Sequence, residues 1–488
     1  MRIFICGMQG WPMTKYGARL VWTMPAWYAA IIMLGLAVPM QGAQPSTLVL
    51  DSGWEFRALN AGDHPEVNSW HAAQVPGVVQ TDLLAAKLIA DPFYGDNEAR
   101  LQWIGLTDWE YRTTFQVDSS LLAHERLDLV FDGLDTFAEV FLNEQSVLHA
   151  DNMFRSWRVL AKALLKPGPN TLRIVFRSPI TSMIPQVKAL PYPLPSISTV
   201  NAGKEENVAT APYTRKAAYQ YGWDWGPRFV TIGIWKPVRL EVWDSARISN
   251  FHIQQLKVTH DLATLAADLQ VEAGRPMTAT VTIRSADPSN KWTTVATQTV
   301  QLDAGPNRAS IPLRIAEPKL WYPAGYGPQD LYRFEVTVRV GREVIATSEL
   351  RTGLRSVELR RTSDTWGRSF TFVINGIPIF AKGANVIPFD SFPSRVTPAK
   401  HRQILEAARD ANMNMVREWG GGIYESDDFY EICDELGLMV WQEFAFGGDM
   451  VPGDLAYQEN VREEATQQVK RLRDHPSIVL WCGNNEIE

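Results

Sequence analysis

The sequence predicts a multidomain protein in which two β-sandwiches precede a parallel α/β domain. The chain has 488 residues, enough for about three domains at roughly 150 residues each. Short runs with alternating apolar and polar residues fill residues 48–242, and residues 246–352 continue in strands richer in Val and Thr. After Gly353, apolar runs alternate with helical patterns. Alternation of period 2 is typical of half-buried strands, whereas strand–helix repeats indicate a parallel sheet.

The first predicted sandwich covers residues 44–245. Its predicted strands are 109–117, 126–134, 138–147 and 170–178, with a predicted helical insert at 81–89. Short strands at this spacing are typical of a sandwich. Residues 246–353 predict a second, immunoglobulin-like sandwich of about 100 residues.

The pattern of the last region, residues 354–488, predicts four apolar strands with a helix between successive strands. The predicted strands are 377–385, 413–419, 438–444 and 477–486. Continuous apolar strands between helices indicate a parallel sheet that is buried on both faces. Four strands fit either a complete open sheet or the first half of a barrel.

The N-terminus predicts a secretory signal peptide over residues 1–43. Lys15 and Arg19 precede an uncharged apolar stretch from Leu20 to Val38, and small and polar residues follow. About 18 apolar residues can also span a bilayer, so an uncleaved anchor is the alternative. We expect export to the periplasm or the extracellular medium, and no membrane association once the leader is removed.

The composition excludes several classes of partner. Lys and Arg number 47 against 54 Asp and Glu, a net charge of −7 without a long basic run, so we expect no nucleic-acid partner. Three cysteines are too few for a disulfide framework. Tryptophan is abundant, with 18 residues beside 20 Phe and 14 Tyr. Flat rings suit sugar faces, although a Trp-rich core would explain them equally well.

The carboxyl ends of the predicted parallel strands carry polar and aromatic residues, where α/β domains place their sites. They are Lys382, Asn385, Arg417, Trp419, Glu443, Phe446, Asn484, Asn485 and Glu486. We see no His and Asp spaced as metal ligands, so we expect neither a metal nor a cofactor. Carboxylate chemistry on a sugar is the functional interpretation. The structural interpretation is that these Asn and Glu residues cap the helices that follow the strands.

A second candidate lies upstream, in the aromatic segment 218–228 (AYQYGWDWGPR). Trp223 and Trp225 bracket Asp224 in a stretch that ends in Gly and Pro. A carboxylate between indoles can hydrogen-bond sugar hydroxyls while the rings pack on apolar C–H faces. The alternative is a buried Trp pair with a capping aspartate.

Seven stretches carry a resemblance that spans nearly the whole chain after the leader. They are 91–111, 131–143, 215–228 (RKAAYQYGWDWGPR), 380–395, 412–425, 433–446 and 472–486 (LRDHPSIVLWCGNNE). With them the chain resembles the β-mannosidases of glycoside hydrolase family 2.

The resemblance implies a jelly-roll sugar-binding domain, an immunoglobulin-like domain and the first half of a (β/α)8 TIM barrel. It implies a retaining exo-hydrolase of β-mannosides that needs no cofactor. Glu486 matches the general acid/base and Asn485 the residue that holds the sugar 2-hydroxyl. Trp223, Asp224 and Trp225 match the loop that closes the cleavage subsite. Trp419 matches its wall, and Arg417 the arginine that hydrogen-bonds the nucleophile.

Several positions depart from the family pattern. Val386 stands where tryptophan is common in the family, and Glu418 stands where a small apolar residue is common. The loop after Phe446 (GGDMVPGD) also differs in sequence from the corresponding loop of the family. The family nucleophile is a second glutamate on strand seven, so we expect these 488 residues alone to be inactive.

Alternative functions stay open at the level of sequence. The related activities are β-galactosidase, β-glucuronidase, exo-β-glucosaminidase and an endo-acting mannosidase. A non-catalytic sugar-binding protein is the alternative outside the enzymes. The sequence does not fix the oligomeric state.

Overall fold

The computed structural model describes residues 46–197 and 209–487, and all numbers of strands and helices refer to these residues. The predicted leader, residues 1–43, lies outside the described residues. No helix within the described ranges is both long and apolar enough to span a membrane.

The first domain is a sandwich of two antiparallel sheets, as the period-2 pattern predicted. One sheet has the order β1-β10-β5-β8 and the other β3-β2-β4-β9-β6-β7. The strands are β1 (Ser46–Val49), β2 (Glu55–Ala58), β3 (His71–Ala72), β4 (Trp109–Val117), β5 (Arg126–Phe131), β6 (Phe137–Leu142), β7 (Gln145–Asp151), β8 (Trp157–Leu160), β9 (Gly168–Arg177) and β10 (Val238–Trp243). The helices are α1 (Val79–Ala85), α2 (Asn97–Arg100), α3 (Trp103–Leu106), α4 (Ser119–Ala123) and α5 (Ile184–Ala189).

The core of this sandwich forms where the inner faces of the two sheets meet. Phe56 and Tyr111 from the six-stranded sheet and Phe131 and Leu240 from the four-stranded sheet are buried in one cluster. Every second residue along each strand points inward, which is why the alternating sequence pattern predicted these strands.

One predicted strand of this domain is wrong. Residues 138–147 were expected to form a single strand, but they form parts of β6 and β7 joined by a turn. Asn143 and Glu144 both have positive φ, 49° and 66°, which reverses the chain. The polar turn continued the apolar–polar alternation, so the pattern concealed the hairpin.

The second domain is also a sandwich, with sheet orders β11-β12-β15 and β14-β13-β16-β17. Its strands are β11 (Ala246–Val258), β12 (Leu262–Ala273), β13 (Met277–Ala286), β14 (Trp292–Leu302), β15 (Gly305–Ala316), β16 (Tyr332–Val340) and β17 (Glu343–Thr352). Leu265 and Ile283, one from each sheet, are fully buried in its core.

The third domain contains a parallel sheet in the order β21-β22-β23-β24. A short antiparallel sheet precedes it, with β18 (Val357–Arg360), β19 (Thr371–Ile374) and β20 (Ile377–Ile379). The parallel strands are β21 (Gly383–Val386), β22 (Met415–Glu418), β23 (Met439–Glu443) and β24 (Ile478–Cys482). Strands that neighbour one another in chain order are typical of a (β/α)8 barrel, whereas a doubly wound sheet reverses its order at a switch point. The observed order therefore favours the first half of a barrel.

The predicted strand 377–385 is divided between two sheets. Its first part is β20, which pairs antiparallel with β19, and its last part opens β21, which pairs parallel with β22. Lys382, expected beyond the end of the first parallel strand, therefore lies before that strand begins.

Three helices follow the parallel strands: α6 (Pro398–Asp410), α7 (Asp427–Leu436) and α8 (Leu455–Leu472). Helix α8 begins at Leu455. Asp454 caps it, because its carboxylate accepts a hydrogen bond from the Tyr457 amide at 3.0 Å.

The amino-terminal end of the parallel sheet is closed by apolar side chains. Met415, Met439 and Val479 pack with Ile374 and with Trp321 of the second domain. Trp321 Nε1 also donates to the Asp434 carbonyl oxygen at 2.8 Å. The opposite end of the sheet is the one that carries polar side chains.

A buried ion pair joins the first domain to helix α8. Arg215 donates through Nε and Nη2 to the two carboxylate oxygens of Glu464, at 2.8 and 2.7 Å. Asn152 Nδ2 and the Tyr424 hydroxyl donate to the same carboxylate, both at 2.9 Å. Arg215 Nη2 further donates to the Ala445 carbonyl oxygen at 2.9 Å. Both charges are buried, and each has several hydrogen-bond partners.

We predict that Glu464→Gln lowers the free energy of unfolding of the unit that contains α8 by about 3–5 kcal/mol, because the substitution leaves the Arg215 charge buried and unpaired. Urea unfolding monitored by tryptophan fluorescence measures the change. Glu459→Gln is the matched control on the same helix, because the Glu459–Arg462 pair is exposed and such pairs contribute less than about 1 kcal/mol. Equal small losses in the two variants would contradict the prediction.

Candidate active site

Arg417 lies at the centre of the polar end of the parallel sheet. Its guanidinium contacts three neighbouring elements: Nε donates to Glu443 Oε1 at 2.9 Å, Nη1 to Asn385 Oδ1 at 3.1 Å, and Nη2 to Asn485 Oδ1 at 2.8 Å. The parallel register places Asn385 directly beside Arg417. A planar guanidinium with several donors suits this task, because it fixes three acceptors in one plane.

Glu443, at the end of β23, is the buried counter-charge of Arg417. Its Oε1 lies 2.7 Å from Arg417 Nη2, and its Oε2 accepts a hydrogen bond from the Gly420 amide at 2.8 Å. The sequence pointed to Glu443 at a strand end but gave it no role. The structure shows that this carboxylate anchors Arg417 and the turn that follows Trp419.

Asn485 is buried, and its amide is oriented by Arg417. The side-chain oxygen accepts from the guanidinium, so the nitrogen Nδ2 points the other way. That nitrogen has no hydrogen-bond partner among the described residues. A buried donor without a partner is costly, and such groups in folded proteins call for a ligand or a water molecule.

Glu486 follows directly and is exposed. Its backbone has φ of +53°, in the left-handed region that side chains other than glycine rarely adopt. Strained backbone of this kind is concentrated at functional sites. Within the described ranges, the Glu486 carboxylate makes no hydrogen bond or ion pair with another side chain.

An aromatic wall stands beside this polar cluster, and two domains contribute to it. Trp419, which follows β22, is nearly buried, and its ring lies edge-on to Trp223 with 4.6 Å between centroids. Trp225 approaches the same ring at 5.8 Å and stacks on Tyr219 at 6.0 Å. The structure thus brings together the three indoles that the sequence analysis singled out.

Asp224 lies at the tip of the turn between Trp223 and Gly226. The backbone of these two residues exchanges hydrogen bonds in both directions, each 3.3 Å long. Asp224 and Trp225 are exposed, and Trp223 is half-buried. The alternative of a buried Trp pair with a capping aspartate is therefore wrong for this turn, since its carboxylate faces solvent.

A close backbone contact fixes the turn after Trp419. The Tyr219 amide of the first domain donates to the Gly421 carbonyl oxygen at 3.0 Å. A β-carbon on Gly421 would lie only 2.0 Å from Trp419 Cη2, so the wall leaves no space for a side chain there. The aromatic turn therefore docks on the third domain through backbone as well as rings.

The predicted site residues fall into three groups in the structure. Arg417 and Asn485 are in direct contact, and Trp223, Trp225 and Trp419 form the wall. Asp224 and Glu486 are exposed, and their carboxylates have no side-chain partner within residues 46–197 and 209–487. Across residues 46–197 and 209–487, no group of three or more His, Cys, Asp or Glu side chains is arranged to hold a metal ion.

Three family models match the chain in succession. The first, described as a glycosyl hydrolase 2 galactose-binding domain-like domain, matches residues 54–236. The second, glycosyl hydrolases family 2, matches residues 246–355, and the third, the TIM barrel domain of the same family, matches residues 368–488.

Curated relatives align with most of this chain. The chain is 39% identical to β-mannosidase B of Thermothelomyces thermophilus over 90% of this chain and 49% of that protein. It is 35% identical to β-mannosidase of Bos taurus over 85% of this chain and 48% of that protein. The chain spans about half the length of the curated relatives it matches.

Solved structures show the same fold. The β-D-mannosidase of Dictyoglomus thermophilum superimposes with a TM-score of 0.84 at 40% identity, covering 91% of this chain and 54% of that one. The exo-chitosanase CsxA of Amycolatopsis orientalis superimposes with a TM-score of 0.69 at 21% identity, covering 89% and 49%. The second likeness concerns the fold alone.

Glu418, one of the departures from the family pattern, lies on the opposite face of β22 from Arg417. Its neighbour on that face, Val416, packs against Phe429 and Tyr430 of α7. Both carboxylate oxygens of Glu418 are buried without a hydrogen-bond partner among the described residues. Burial raises the pKa of this carboxyl well above its ordinary value, and the charges of Glu425 and Glu443 raise it further.

We predict that Glu418→Gln stabilises the protein at neutral pH. The unfolded chain loses the Glu418 proton near pH 4.5, its ordinary pKa, whereas the folded chain keeps it. The wild type therefore loses stability as pH rises above that value, by about 1.4 kcal/mol per pH unit until the folded pKa is reached. Between pH 5 and pH 8, the melting temperature should fall less steeply with rising pH in Glu418→Gln than in the wild type.

Glu431→Gln provides the control for this prediction, since Glu431 is exposed on the same helix α7 that covers Glu418. Its pH profile should follow that of the wild type. Parallel profiles for Glu418→Gln and the wild type would show that Glu418 is ionised in the folded protein.

Proposed function

Because the chain belongs to glycoside hydrolase family 2, we propose that it forms the sugar-binding and acid/base half of a retaining exo-β-mannosidase. The substrates are β-mannosides, such as mannan oligosaccharides or glycoprotein glycans, from which terminal non-reducing β-D-mannose is released. The chemistry requires only carboxylates and hydrogen-bond donors, and no cofactor.

The observation that carries this proposal is that the buried side-chain nitrogen of Asn485 has no hydrogen-bond partner among the described residues. Arg417 holds its oxygen, and its buried Nδ2 donor is left without a partner beside Glu486. A sugar hydroxyl at this position would accept that hydrogen bond. A site built to hydrogen-bond a hydroxyl discriminates strongly against sugars that do not present one there, because the buried donor then stays unpaired.

Glu486 is the general acid/base in this proposal. It protonates the leaving oxygen in the first step and activates water in the second, because retention requires one residue to serve in both steps. Its carboxylate is exposed and has no side-chain partner in the part of the chain that the structure describes, which leaves it available to a bound sugar.

The aromatic wall supports an exo-acting enzyme. The turn at Asp224 comes from the first domain and docks against Trp419, so it closes one side of the site. Asp224 can bond adjacent hydroxyls of a terminal sugar while the indoles pack on its C–H face. Mannose is favoured over the related sugars because the relatives with 35–40% identity are β-mannosidases.

The proposal also includes export of the protein from the cytoplasm. Lys15, Arg19 and the apolar stretch that follows them support removal of a leader and action on β-mannosides outside the cytoplasm.

The decisive experiment is turnover of an aryl β-mannoside. The coding DNA downstream of codon 488 is read first, because retention needs a second carboxylate about 5–5.5 Å from the first, and Glu443 is held by Arg417. We expect no turnover by the 488 residues alone and turnover by a chain extended in frame to include that carboxylate. Absence of such a continuation would instead support a non-catalytic sugar-binding protein.

In the extended chain we predict that Glu486→Gln slows natural mannosides severely. It should spare the first step for 2,4-dinitrophenyl β-mannoside, because that leaving group needs no proton. Stopped-flow release of dinitrophenolate measures this step. Glu463→Gln, an exposed substitution on α8, is the control and should leave both substrates unaffected. Equal losses for both substrates in Glu486→Gln would refute the assignment.

For Asp224→Ala we predict weaker binding with unchanged stability. The carboxylate is exposed and forms no hydrogen bond or ion pair with the described residues, whereas a lost charged hydrogen bond to sugar costs about 1.5–3 kcal/mol. The ratio kcat/KM and the melting temperature are measured together, with Asp303→Ala, an exposed aspartate of the second domain, as the control. A large fall in melting temperature with intact kinetics would indicate a structural role.

A further inference from the structure

Residues 446–450, here named the crossing loop, connect β23 to the segment before α8. One side of this loop is bonded to the backbone of Asn485. The Asn485 amide donates to the Phe446 carbonyl oxygen at 2.9 Å, and the Gly448 amide donates to the Asn485 carbonyl oxygen at 3.0 Å. These two bonds fix the position of Asn485 independently of its side chain.

The other side of the crossing loop is bonded to the first domain. Asp449 Oδ1 accepts a hydrogen bond from the Ile197 amide at 3.2 Å, and the Met450 amide donates to the Pro195 carbonyl oxygen at 3.0 Å. Asp449 is buried, whereas Pro195, Ile197 and Met450 are exposed, so this connection runs from the protein interior to its surface. Five consecutive residues thus link the two domains that build the site.

The middle of the crossing loop packs against the aromatic wall. A β-carbon on Gly448 would lie 3.1 Å from Trp223 Cη2 and 2.5 Å from Ile197 Cδ1, and its φ is +67°. A β-carbon on Gly447 would lie 2.6 Å from the α-carbon of Gly421. The backbone of the loop therefore fills the space behind the wall. Gly447 meets backbone directly, and a side chain at Gly448 would strain a left-handed backbone and press on Trp223 and Ile197.

We propose that the crossing loop sets the position of the Trp223 indole relative to Asn485, with Gly448 and Asp449 as its positioning residues. The proposal deepens the proposed function and rests on it, because it assigns the geometry of the sugar subsite to a loop that contacts the Asn485 backbone and the Trp223 ring. Small displacements matter here, since an error of about 1 Å in a positioned group can cost about a hundredfold in rate.

The experiment compares Gly448→Ala with Gly453→Ala in the 488-residue chain. Gly453 follows in the same connection, and a β-carbon there would meet nothing within 4 Å, so it is the matched control. Near-ultraviolet circular dichroism reports the coupled Trp223–Trp419 pair without any sugar, and Trp223→Phe identifies its band. Calorimetric titration with methyl β-D-mannoside reports the subsite.

We expect Gly448→Ala to alter the near-ultraviolet band and to weaken the affinity for methyl β-D-mannoside by about tenfold or more. Gly453→Ala should match the wild type in both. A wild-type band and affinity in Gly448→Ala, or equal changes in Gly453→Ala, would overturn the proposal. If the wild-type chain gives no heat with the mannoside, the proposed function fails for this chain, while the spectral comparison still decides the positioning role.

Asp449 supplies a second test that does not depend on how Gly448→Ala folds. Asp449→Asn keeps the oxygen that accepts from Ile197, so its band and affinity should stay close to the wild type. Asp449→Ala removes the acceptor and should weaken affinity by about fivefold. Equal affinities for Asp449→Ala and the wild type would contradict the role of Asp449.

Discussion

The buried pair between Arg215 and Glu464 is the interaction on which the arrangement of the site depends. Burial alone would lower the pKa of Arg215, but the charge and hydrogen bonds of Glu464 together with the neighbouring Tyr457 and Tyr424 raise it above its ordinary value, so Arg215 keeps its charge. Two charges can be buried at acceptable cost only when further hydrogen bonds satisfy them, and Asn152, Tyr424 and Ala445 provide those bonds. Removing any one of these partners changes the energy of the others.

The position of this pair explains its importance. Arg215 lies eight residues before Trp223 in the chain, so the pair holds the start of the segment that carries the aromatic turn. Its bond to Ala445 holds the beginning of the connection after β23. The first domain therefore docks through a rigid polar contact, and the indoles meet Trp419 as a consequence of that docking. The polar cluster around Arg417 is built separately, within the third domain.

Local pattern predicted the elements of the fold, whereas the connections between distant parts could not be predicted. Strand Trp109–Val117 was predicted correctly because a half-buried strand alternates every second residue. The hairpin at Asn143 and Glu144 was missed because polar turn residues continued that alternation. Arg215 and Glu464 are 249 residues apart, and nothing in either local sequence indicates the other. The ends of the parallel strands located Arg417 and Glu443, but only the three-dimensional register shows that they bind each other.

The aromatic wall has a thermodynamic consequence because two domains share it. Under the proposed function, a sugar that contacts Trp223 on one side and Asn485 on the other binds only when the domains are docked. Its binding energy is then added to the docking energy, and a ligand present at 100 times its Kd stabilises the docked state by about 2.7 kcal/mol. Under the proposed function, a bound sugar would thus hold the two domains together, and the resistance of this protein to domain separation would rise and fall with the sugar concentration.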